Sequence, residues 1–75
     1  LNCDIKFFKI NELKEIKKNI LDISQIDKIL LKKISHKKNN YDLIFFGNKK
    51  YLINNLKYFN LLVKLEDTEC NISLK

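Results

Sequence analysis

The chain predicts an α+β domain: a two-layer sandwich of order β-α-β-β-α-β-β, with two helices on one face of a mixed or antiparallel sheet. Three observations carry that expectation. Leu13, Ile16, Ile20 and Ile23 recur at helical spacing, and so do Leu52, Leu56 and Phe59. Runs rich in Ile, Leu, Phe and Tyr lie around these stretches; in the last run Cys70, Ile72 and Leu74 alternate with Asn71 and Ser73. The single glycine, Gly47, and the Asn-rich segments fall between runs, where turns belong. Strands and helices in this order bury their apolar faces against one another in two layers.

Taken in order, Asp4–Ile10 reads as the first strand. Asn11 is a suitable N-cap for a helix reaching about Ile23. Glu12 and Glu15 sit near its start, where the helix dipole favours carboxylates. Ile29–Ile34 and Tyr41–Phe46 then read as a hairpin around the polar loop Ser35–Asn40, with Phe45 and Phe46 expected in the core. Gly47 breaks the strand and Asn48 caps a second helix from Lys49 to about Phe59. That helix carries Lys50, Asn54 and Lys57 opposite its apolar stripe. Leu61–Glu66 and Cys70–Leu74 form a closing hairpin with a solvated acidic tip. No repeat or linker divides residues 1–75, which read as a single domain.

Composition adds a second layer of inference. Lys, Leu, Ile and Asn dominate and Arg is absent; Lys, Asn and Ile, like Phe and Tyr, have AT-rich codons. Every cation is therefore a lysine, a point charge suited to phosphate rather than a fork suited to base edges. The net charge of +6 is uneven. Residues 1–27 are neutral in sum, whereas residues 28–57 hold eight lysines against Asp42 alone, a balance of +7. Such a cluster repels itself, a cost offset when it meets phosphates and releases their counterions. Lys32, Lys33, His36, Lys37 and Lys38 on the hairpin are thus candidate RNA contacts. So are Asn48, Lys49, Lys50, Tyr51, Asn54 and Lys57 on the second helix. The free N–H groups at that helix's start add to the attraction for an anion.

Catalysis is not expected. One histidine, one glycine and no Cys–His motif supply neither a nucleophile–base pair nor a phosphate-cradling loop, so no catalytic residue, metal, cofactor or small-molecule substrate is assigned. Cys3 and Cys70 fit no zinc spacing and would meet only if the two ends of the chain do. Two cysteines are few for a disulfide-dependent scaffold, so reduced thiols are expected. No apolar run approaches the ~20 residues of a membrane span, and no signal peptide is recognisable. With Leu1 first, the chain reads as processed or as a segment of a longer one.

From Lys28 to Leu56 the chain resembles the eukaryotic-type large-subunit ribosomal protein twenty-two family. The stretch Asn48-Lys49-Lys50-Tyr51-Leu52-Ile53-Asn54-Asn55-Leu56 stands where that family opens a basic helix with a lysine-tyrosine-leucine motif. Lys57-Tyr58-Phe59 is similar to the helix's continuation, Leu62-Val63-Lys64-Leu65 to the following strand, and Leu1-Asn2-Cys3 to an early strand ending in an Asp-Cys pair. Arginine is replaced throughout, and Asp22–Asp27 stands where the family has a glycine-rich stretch. The resemblance implies a reduced, AT-rich, microsporidian-like member on the cytoplasmic ribosome. Its partners would be ribosomal RNA and other large-subunit proteins. The alternative from the residues themselves is a protein-interaction or regulatory domain of a larger chain, using a sheet edge or a face of Tyr51, Leu52 and Phe59.

Overall fold

A computed structural model describes residues 1–74. The chain runs β1 (Asn2–Lys6), α1 (Ile10–Leu21), β2 (Ile26–Ser35), β3 (Lys38–Phe45), α2 (Lys49–Tyr58), β4 (Leu61–Glu66) and β5 (Glu69–Leu74). This is the expected β-α-β-β-α-β-β order. The five strands form one open mixed sheet, ordered β2-β3-β1-β5-β4. Three pairings are antiparallel and one, β1 with β5, is parallel.

Register decides which face is the core. Cys3 lies opposite Tyr41, Ile5 opposite both Asn39 and Ile72, and Ile72 opposite Val63. Because side chains alternate along each strand, these residues share one face. Leu13, Ile16 and Ile20 of α1 and Leu52 and Leu56 of α2 join them in a single buried cluster, so both helices cover that face. Ile23, just past α1, is also buried. The Asn19 side chain donates to Phe59 O (3.3 Å), linking α1 to the end of α2.

Several boundaries differ from expectation, each for a local reason. β1 ends at Lys6 because the β2–β3 turn ends beside it; the last bond runs from Phe7 N to Lys37 O (3.1 Å). Phe7–Lys9 then turn out of the sheet, and the helix starts at Ile10, before Asn11. Its N-cap, Lys9, makes no side-chain cap bond. Instead the Glu12 carboxylate reaches back past the N-cap to accept from Phe8 N (3.2 Å). The hairpin turn is only His36-Lys37, with Lys37 left-handed (φ 56°). The expected loop residues Lys38, Asn39 and Asn40 belong to β3, where they pair with Lys6, Ile5 and Asp4. Phe46 is 64% exposed rather than in the core, while Phe45 packs against the core's edge.

The cysteine expectation is overturned. Cys3 and Cys70 are disulfide-bonded, with Cα atoms 4.6 Å apart. They meet because β1 and β5 are adjacent and parallel, which brings residues 67 apart in sequence side by side.

The outer face of the sheet is open and mixed, with Leu30, Ile44 and Leu62 exposed among polar side chains. A ladder of side chains crosses it. The Asn2 amide donates to Asn40 Oδ1 (2.8 Å) and Asp42 Oδ1 (2.6 Å), and the Asn40 amide donates to Asn2 Oδ1 and Asp4 Oδ1 (both 2.8 Å). Lys32 closes on Asp42 (3.7 Å) and Lys38 on Asp4 (3.8 Å). Among the described residues, no helix is long and apolar enough to cross a membrane.

Candidate nucleic-acid interface

All eleven residues expected to contact RNA are exposed. They do not form one patch. His36 and Lys37 are the β2–β3 turn, with Lys33 and Lys38 beside it: Lys33 pairs with Asn40, and Lys38 with Ser35. Asn48, Lys49 and Lys50 follow the other end of β3. The seven residue steps of β3 from Lys38 to Phe45 separate the two groups by roughly 24 Å at ~3.4 Å per step. That distance is about three times the ~8 Å screening length at physiological salt, so the groups act as independent charges.

The α2 group is held by specific bonds. Asn48 Oδ1 accepts from Lys50 N (2.7 Å), the cap read from the sequence. Gly47 makes the preceding turn in the left-handed region (φ 82°), where a side chain would be strained. Gln25 clamps the turn from below. Its Nε2 donates to Phe46 O (3.1 Å) and Asn48 O (3.2 Å), and its Oε1 accepts from the Asn55 amide (2.7 Å). Lys50, Asn54 and Lys57 then mark one exposed stripe, Lys57 about 12 Å beyond Lys49 along the helix at 1.5 Å per residue. Tyr51 (66%) and Tyr58 (85%) are open to solvent. Leu52 is fully buried, so Tyr51, Leu52 and Phe59 do not share an exposed face.

The hairpin end is more than a solvated tip. A cleft of about 480 Å³ opens there, walled by Lys6, Phe8, His36, Lys37, Lys38 and Leu74 among others. Among the described residues its lining includes three ammonium groups and the carboxylate of Glu12, which is engaged by Phe8 N. Lys38 is also drawn toward Asp4, but at 3.8 Å with its side chain about half exposed, a pair that contributes little. Phe8 is 79% exposed, and the Lys37 ammonium lies 5.8 Å from its ring centre. Lys6 and Phe8 were not anticipated from the sequence. Both fall in the run Asp4–Ile10 that reads as uninterrupted strand; pairing of β1 with β3 sets Lys6 opposite Lys38, and the turn after Lys6 brings Phe8 to the hairpin.

Elsewhere, Lys17 sits 5.6 Å over the Tyr41 ring, a packing role on the helical face. Among the described residues no group of three or more His, Cys, Asp and Glu is placed to hold a metal. No known protein family, curated protein or solved structure matches this chain. The resemblance to the ribosomal family therefore rests on the residues of the helix and its flanking strands.

Proposed function

We propose that this is a non-enzymatic RNA-binding domain, with the large ribosomal subunit as the setting its resemblance implies. The observation that carries the reading is the hairpin-end cleft, where Lys6, Lys37 and Lys38 stand around the exposed Phe8 ring and the Glu12 carboxylate is engaged by Phe8 N. Phosphates neutralise such charges and aromatic rings take unpaired bases, a combination that fits RNA better than a folded acidic protein. The α2 lysines add a second, independent contact point for a chain long enough to reach both.

Titration of labelled RNA by fluorescence anisotropy at several salt concentrations tests this. Affinity is expected to fall steeply, with log K against log salt losing about 0.7 in slope for each single-strand phosphate contact removed. The cleft variant K6Q/K37Q/K38Q should bind more weakly and with a flatter slope, and K49Q/K50Q/K57Q should lose a smaller, separate part of the binding. K14Q/K18Q/K64Q, at exposed positions away from both, should change little. Equal behaviour of the cleft variant and this control would mean that only bulk charge matters, and the reading would fall.

One observation favours a second reading. A buried Cys3–Cys70 bond belongs to oxidising compartments and is uncommon in cytosolic proteins. It supports an interaction module of a longer chain that works outside the cytosol. Thiol titration of the native protein taken from cells under alkylating conditions separates the two: free thiols favour the ribosome, and their absence favours the interaction module.

A further inference from the structure

We infer that the cleft at the hairpin end takes a single unpaired base, stacked on Phe8, with the adjoining phosphates on Lys6, Lys37 and Lys38. The inference rests on the RNA reading above and narrows it to single strands.

Phe8 is a large apolar ring left 79% open in a domain of 75 residues, on the wall of a cleft rather than on a convex surface. It is not a loose side chain on a loose loop. Its own N–H is held by Glu12, and the neighbouring Phe7 N–H is bonded to Lys37 O. That second bond fixes the aromatic segment to the hairpin turn. The left-handed turn residue Lys37 sends its ammonium across the Phe8 ring while its carbonyl holds the backbone beside it. Ring and cation therefore form one preorganised wall, with Lys6 and Lys38 beside each other in register, completing the basic lining. A cleft of about 480 Å³ lies within the ordinary range for small-ligand sites. It accommodates a base whose faces are free. Bases of a duplex are already stacked on their neighbours and cannot enter without unstacking, whereas a single strand offers a free face at no such cost.

The test compares a labelled single-stranded uridine octamer with a duplex of equal length, using wild type, Phe8→Ala and Phe8→Trp. Because Phe8 is exposed, both variants are expected to fold, which circular dichroism checks. Phe8→Ala should weaken single-strand binding about tenfold with the salt slope unchanged, and leave duplex binding as it was. Phe8→Trp should restore affinity, and its fluorescence should be quenched as the base stacks. If wild type binds single strands and Phe8→Ala binds them equally well, this inference is overturned while the RNA reading stands. If wild type binds neither RNA, both fall. Equal affinity for the single strand and for poly-glutamate would overturn the base-stacking claim in favour of an acidic peptide.

Discussion

Asn39 shows how far one residue can depart from its sequence appearance. In the run His36-Lys37-Lys38-Asn39-Asn40 it looks like a loop residue, yet it is 7% exposed on the core face of β3 between Ile5 and Ile34. Its amide reaches Tyr41 OH only at 3.4 Å, and its Oδ1 is buried without a partner. A buried unsatisfied acceptor costs about 1–3 kcal/mol. Asn39→Val removes it and suits a strand, so stability is expected to rise by about 1 kcal/mol. A urea midpoint that falls instead would mean that the amide is worth more than its orphaned oxygen costs. Asn40, its neighbour, has the opposite fate, fully engaged in the ladder on the outer face. Nothing in the letters Asn-Asn distinguishes the two; only the partner strand does.

Elements were legible where a period is local and hidden where a partner is remote. Leu13, Ile16 and Ile20 lie on one side of any helix drawn through them, and that side is buried. The start of α2 was equally legible, because Gly47 and Asn48 carry their instructions within one turn of chain. Asn48→Ala is expected to cost about 1 kcal/mol through loss of the bond to Lys50 N, measured by thermal or urea unfolding. The end of β1 was not legible, since Phe7 and Phe8 have strand-forming side chains and are turned away by the hairpin next to them. The same cause hid half of the candidate site: the hairpin lysines were visible as charge, but Lys6 and Phe8 join them only through tertiary placement. Two irregularities in β2, between Ile26 and Lys28 and between Leu31 and Lys33, were also invisible. They interrupt an otherwise long open edge, and with the lysines along it they discourage pairing with another chain.

Across the domain as a unit, the least legible feature was the cysteine pair, because it depends on the complete sheet order. β1 and β5 are first and last in the chain and central in the sheet. Their ladder is short, pairing Asp4 with Asn71 and Ile5 with Ile72. The Cys3–Cys70 bond adjoins it and closes a loop of 67 residues. In the chain-entropy account a loop of that length stabilises the folded state by about 4 kcal/mol. Small domains have only about 5–15 kcal/mol in total, so loss of the bond should bring this one close to unfolding. Urea titrations with and without reductant check this: a large fall in midpoint is expected, and an unchanged midpoint would mean that the sheet centre holds without the bond.

The same bond has a mechanical meaning. β1 and β5 are parallel, so the two ends of the domain leave it in opposite directions. Tension applied through them enters at Cys3, crosses the sulfur bridge and leaves at Cys70. Residues 4–69, with both helices and the cleft, carry none of it. Oxidised, the domain is a nearly inextensible link whose folded body hangs beside the line of force. Reduced, it becomes a spring in shear, held at its centre by the short β1–β5 ladder and able to pay out most of its contour length once that ladder slips.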